Sequence, residues 1–254
     1  MIARFGWQSP FPVLALLGGL SWLLLARLLP PQPLPKARKA NLLSNLSLVV
    51  VSPKALAALA MAFSLTMANE VVNLMFGVWM DEAFLLKITA LGAVSIGIGV
   101  FEFGGEALVG GVSDRLGKVN SVGLGLMGNS VAALLLVLAG TSLPVAMAGL
   151  LLYYLTFEFA LVSSLPLMTE VLPSARATFL AANIALISLG RACGDWVAPR
   201  LYQWGKTAVH LPSPGISANA LAAIALNLLA VSFLFFLRNV DKKTTPPVSN
   251  APDI

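Results

Sequence analysis

Charge is scarce in this 254-residue sequence. Asp, Glu, Lys and Arg together make up 11% of it, whereas soluble domains carry about 25%. Cysteine and histidine are scarcer still, with one of each. A single cysteine, Cys193, excludes an intrachain disulfide and a cysteine-based metal site. A single histidine, His210, excludes a His-rich metal motif; set in a loop-like stretch, it reads as a surface residue. No serine–histidine arrangement and no paired-aspartate signature are present, so no enzyme activity, metal or cofactor is expected. What abounds is hydrocarbon: 58% of residues are hydrophobic and the mean hydropathy is +0.87. One water-soluble core cannot absorb that much apolar sequence, so the expected solvent is a lipid bilayer. The net charge of +5 would suggest nucleic acid in a soluble protein. Here it fits basic loops at a membrane surface, and no nucleic-acid partner is expected.

A helix needs about 20 predominantly apolar residues to cross a bilayer. Seven stretches qualify, at about residues 11–29, 55–80, 84–111, 119–138, 143–168, 178–197 and 218–237. The expected fold is all-α, a polytopic bundle of seven transmembrane helices. The breaks are short and polar or proline-bearing: MDEAF, SDRLGK, AGTSLP, TEVLPSAR and QWGKTAVHLPSPG. After the first stretch comes PPQPLPKARKANLLSNLSL, whose prolines favour an extended chain. The division that follows is a leading helix at 1–29, a linker at 30–53, a six-helix bundle at 54–238 and a disordered tail at 239–254. The first stretch is not read as a secretory signal, because Arg27 and a proline series follow it instead of a small-residue cleavage site.

Lys and Arg set the expected orientation. Placing the linker inside gathers Arg27, Lys36, Arg38, Lys39, Lys54, Arg115, Lys118, Arg176, Arg238, Lys242 and Lys243 on that side. Arg4, Lys87, Arg200 and Lys206 remain outside. The bias predicts a cytoplasmic linker and tail and an external N-terminus, in the cytoplasmic (inner) membrane.

The third stretch carries polar and small residues at a helical step. Gly92, Ser95, Gly99, Glu102, Glu106 and Gly110 recur every three or four residues and share one face. Small residues let helices approach. An ionised acid at mid-bilayer costs roughly 2.5–3.5 kcal/mol even on the lenient insertion scale. The face is therefore expected to meet protein or water, not lipid. At its inner end the chain reads Gly110-Gly111-Val112-Ser113-Asp114-Arg115-Leu116-Gly117-Lys118, a match to G-x-x-x-D-R-x-G-[RK]. Gly110 would permit close packing and Gly117 a tight turn. Asp114 could meet helix N-terminal amides, and Arg115 and Lys118 would hold the loop at the cytoplasmic surface.

This stretch resembles the signature loop of the major facilitator superfamily of secondary transporters, although Val119 stands where a second basic residue is usual. The resemblance implies that the first stretch corresponds to the family's sixth helix and the next six to helices seven to twelve, one half of the fold. Helices one to five are then expected elsewhere, as an N-terminal half in cis or on another chain. Asp114 would lack its helix partner within this chain, and the polypeptide alone is expected to transport nothing. A six-helix N-terminal half with an extra leading helix is the alternative alignment.

Further polar residues lie in the apolar stretches. Glu70 and Asn73 share a face with Thr66, Asn69 and Gly77, while Tyr154 and Glu158 sit four apart, as do Arg191 and Asp195. Arg191 and Asp195 read as a structural pair that neutralises itself. Glu106 reads as structural, pairing with Arg115 or capping the loop. Glu102 and Glu158 have no obvious cationic partner on their own helix and are the residues expected to carry transport, with Glu70, Asn73 and Tyr154 along the same pathway. The expectation is a proton-coupled exporter of a hydrophobic or cationic small molecule, its halves rocking as the resemblance implies. The competing expectation is a non-transporting membrane fragment or scaffold that pairs with other transmembrane helices.

Overall fold

A computed structural model describes residues 8, 10–29, 42–207 and 211–241. His210, Arg4, most of the expected linker (30–41) and the tail from 242 lie outside them. The chain divides into two units, residues 1–40 and 41–254. The first holds α1 (Pro10–Leu28), a largely apolar helix whose last turn carries Arg27.

The second unit holds the rest. Helix α2 (Leu42–Val51) lies within the stretch read as linker; its LLSNLSLVVV run has no proline, so nothing prevents a helix. Helix α3 (Pro53–Asn73) starts where Ser52 accepts a hydrogen bond from the Ala55 amide at 3.3 Å and Pro53 occupies the first turn. Then follow α4 (Phe76–Phe84), α5 (Ile88–Leu116), α6 (Lys118–Leu138), α7 (Leu143–Val171), a short 3-10 turn at Pro173–Ala175, α8 (Arg176–Thr207) and α9 (Ile216–Asp241). Among the described residues seven helical spans are long and apolar enough to cross a membrane, α3 and α4 counting as one.

The observed breaks differ from the polar stretches of the sequence. MDEAF is helical, and α4 ends at Leu85, whose φ of 53° is left-handed. QWGKT is helical too. At 1.5 Å per residue the 32 residues of α8 run about 48 Å, well past a hydrocarbon core of about 30 Å. Between α5 and α6 only Gly117 is non-helical, at φ 80°, a value glycine adopts without steric cost. The α3–α4 span breaks at Leu74 and Met75, deep in an apolar run. There the Met75 amide donates to Val72 O at 3.0 Å instead of to Val71 O. Val71 O accepts instead from Asn219 Nδ2 at 2.6 Å, and the same amide also donates to Ala198 O at 2.9 Å. One fully buried asparagine thus ties the break in α3–α4 to α8 and α9.

Neighbouring helices form a row, α8–α3–α9–α6–α7–α5. Its contacts are close because of two glycines in particular. A Cβ at Gly105 of α5 would lie 2.3 Å from Leu155 O of α7, and one at Gly190 of α8 would lie 2.5 Å from Phe63 O of α3. Polar cross-links add to the packing. Asn227 donates to Asn129 Oδ1 at 2.7 Å, Asn129 to Tyr153 O at 2.7 Å, and the Tyr153 hydroxyl to Ala68 O at 2.6 Å. Helices α5 and α8 end the row, so each turns one face away from its own unit. On α5 that face bears Gly92, Gly99 and Gly110, at each of which a Cβ would meet nothing within 4 Å. The close packing expected at Gly110 occurs instead on the other face, at Gly105.

Candidate functional site

The polar side chains of α3, α7 and α8 converge just below the break in α3–α4. Glu70 is buried, because Gly190 and Gly194 bring α8 against this side of α3; a Cβ at Gly194 would come within 2.7 Å of Glu70 Cβ. Glu70 Oε1 accepts from Arg191 Nε at 2.6 Å and Oε2 from Asn73 Nδ2 at 2.8 Å. Asn73 Oδ1 in turn accepts from the Tyr154 hydroxyl at 2.6 Å. Tyr154 is held edge-on by Phe76, its ring centroid 6.1 Å away, and by Tyr153 at 5.9 Å. The result is a continuous line, Arg191–Glu70–Asn73–Tyr154, across three helices.

One turn beyond Tyr154 on α7 is Glu158, half-buried, and across from it on α5 is Glu102. Glu158 lies within Coulombic range of Glu102, Glu106 and Arg191. Glu102 feels Glu106 and Arg191, and Asp195 feels Glu70 and Arg191. Five carboxyl groups on α3, α5, α7 and α8 therefore share a field with one guanidinium.

The sequence-read residues thus divide into groups. Glu70, Asn73 and Tyr154 are brought into direct contact. Glu102 and Glu158 face the same region without a hydrogen bond to each other. Two pairings are corrected. Arg191 bonds Glu70 rather than Asp195, because the glycine contact places the buried carboxylate nearer than the exposed one on Arg191's own helix. Glu106 makes no ion pair with Arg115. Helix α5 stays helical to Leu116, which holds residues nine positions apart about 13.5 Å from each other along the axis. Asp114 and Arg115 are exposed at the end of α5. Lys118 forms an ion pair with Glu170 and so fastens the start of α6 to the end of α7.

Three partners have no sequence signal. Glu170 lies in the TEVLPSAR break, with nothing to indicate Lys118 as its cation. Glu82 accepts from Tyr202 Oη at 2.8 Å and Lys206 Nζ at 2.7 Å, fastening α4 to the far end of α8 across a separation of more than a hundred residues. Asn219 lies in an alanine-rich run that reads only as apolar helix.

The sequence pattern of the Major Facilitator Superfamily matches residues 1–194. A similar protein is the "Uncharacterized MFS-type transporter YceJ" of Bacillus subtilis (strain 168), 24% identical over 205 residues; the match takes in 80% of this chain and 52% of that protein. The chain therefore spans about half the length of this curated relative. The family pattern covers most of the chain, from the leading helix through Gly194 of α8, and the all-helical fold and seven apolar spans agree with it: the chain belongs to the Major Facilitator Superfamily.

Proposed function

We propose that this chain supplies one half of a secondary transporter in the cytoplasmic membrane, exchanging protons for a hydrophobic or cationic small molecule that it moves outward. The observation that carries this reading is the charge imbalance of the site. Five carboxyl groups of α3, α5, α7 and α8 lie within Coulombic range of one guanidinium. Arg191 is engaged by Glu70, so the remaining acids are left to bind protons or cations.

In the proposed cycle Glu102 and Glu158 alternate between two loads. Protonated, they are neutral, and the site can occlude without burying bare charge. Deprotonated, they attract a cation whose apolar body rests on the surrounding hydrocarbon side chains. The Arg191–Glu70–Asn73–Tyr154 line holds the wall of the site in register. A complementary six-helix half, in cis or on another chain, would complete the cavity and allow rocking.

The test is uptake of a fluorescent lipophilic cation into everted native membrane vesicles under an imposed pH gradient. Wild-type vesicles are expected to accumulate the dye in proportion to the gradient. Glu102→Gln and Glu158→Gln are each expected to lose the pH dependence. Undiminished gradient-driven uptake in both variants would remove these acids from the mechanism, and gradient-driven uptake by the purified chain alone would overturn the two-half arrangement.

A further inference from the structure

A second site lies away from the charged cluster, on the side of the bundle where α6 and α9 run together. The first turns of α6 and the last turns of α9 enclose a groove of about 270 Å³. Its walls are Val231, Leu234 and Phe235, its floor is the recess at Gly123, and its polar end carries Asn120 and Arg238. Arg238 is in the last turn of α9 and exposed, whereas its neighbour Leu237 is fully buried. Its guanidinium rests 5.8 Å from the centroid of the Phe235 ring and forms no ion pair with any described carboxylate. Glu170, at the same end, is engaged by Lys118. The groove's polar end therefore carries a guanidinium and an amide.

We propose that this groove binds an anionic phospholipid, with the phosphate at Arg238 and an acyl chain along Gly123 and Leu234. Three observations carry the proposal. The first is complementarity: an apolar trough closed at one end by a guanidinium has the two-part chemistry of a lipid. The second is access. The residues one turn further along the groove-lining faces, Met127 on α6 and Leu228 on α9, are large, apolar and exposed, as is Phe235 of the wall itself. In a spanning helix such a surface faces hydrocarbon, so a molecule arriving from that side comes from the bilayer. The third is the sequence beyond the groove, where Lys242 and Lys243 follow Arg238 within five residues. A basic group just outside a span draws anionic lipids to the protein. The site is independent of the transport reading and of which compartment this end faces.

Native mass spectrometry of the full chain in detergent, with phosphatidylglycerol, phosphatidylcholine or inorganic phosphate added, tests it. Wild-type protein is expected to retain phosphatidylglycerol over phosphatidylcholine, with inorganic phosphate unable to displace it. Arg238→Gln is expected to reduce that preference about fivefold, the ratio set by one basic residue at a membrane surface. At Gly123 a Cβ would meet only the Leu234 side chain, at an ordinary 3.5 Å, so a larger residue extends into the groove without disturbing backbone. Gly123→Leu is accordingly expected to lose adducts of both lipids while its helical circular dichroism is unchanged. Equal retention of the two lipids by wild type, displacement by inorganic phosphate, an unaltered preference in Arg238→Gln, or full lipid binding by Gly123→Leu would each overturn the proposal.

Discussion

At the scale of the residue, Asn219 and Arg191 do different work with similar geometry. Asn219 is fully buried and its amide satisfies two main-chain carbonyls, one of them freed by the break in α3–α4. Replacing it with leucine keeps the volume but leaves Val71 O with no donor in a place water does not reach. Membrane hydrogen bonds average only about 0.6 kcal/mol when partners can be exchanged. A stranded buried acceptor costs more, about 1–3 kcal/mol. Asn219→Leu is therefore expected to lower the unfolding free energy of the purified chain by about 1–3 kcal/mol, measurable by denaturant titration in detergent; a loss near zero would mean that another donor reaches Val71 O. Arg191 acts through charge. Arg191→Gln leaves Glu70 buried and unpaired, so it is expected to lower the thermal midpoint, and Glu70→Gln in the same chain is expected to restore most of it. Failure of that restoration would show that the guanidinium is held by something other than Glu70. The sequence marked Glu70 and Arg191 as buried charges but could not join them, because 121 positions separate them and a charge on a neighbouring turn offered a nearer apparent partner.

At the scale of the element, α5 has two faces with two kinds of glycine. Gly105 is pressed against α7, and its Cβ would overlap Leu155 O. Gly99, on the opposite face, has open space within this unit. Gly105→Ala is expected to push α5 off α7 and destabilise the isolated chain by about 1–3 kcal/mol, the usual cost of overpacking. Gly99→Ala is expected to leave the isolated chain unchanged and to weaken only its association with whatever covers that face. Paired denaturation curves of the two variants check this; equal loss in both would mean that the two faces are equally packed. The spans themselves were legible because apolar length alone requires a helix in lipid. The break at Leu74 and Met75 was not, because neither residue carries a breaker's signature and the interruption is sustained from outside by Asn219. The overrun of α5 and α8 was hidden for the opposite reason: polar residues such as Asp114 and Lys206 look like loop although they continue a helix beyond the hydrocarbon.

At the scale of the whole second unit, its two ends differ in charge. The Lys118–Glu170 pair and the α6–α9 groove place the start of α6 beside the ends of α7 and α9. Lys54, Arg115, Lys118, Arg176 and Arg238 therefore gather at one end. The other end is closed by Glu82 with Tyr202 and Lys206, and by Ser213 Oγ accepting from the Gly140 amide at 2.8 Å. That end has fewer cations, and one of them, Lys206, is neutralised by Glu82. Basic residues are retained on the cytoplasmic side during insertion, so the Arg238 end is expected to face the cytoplasm. The lone thiol, Cys193, makes the test simple once it is removed. In a Cys193→Ser background, Lys87→Cys is expected to react with a membrane-impermeant maleimide added to intact cells. Arg176→Cys and Arg238→Cys are expected to react only after the membrane is opened. Labelling of the last two in intact cells would invert the orientation.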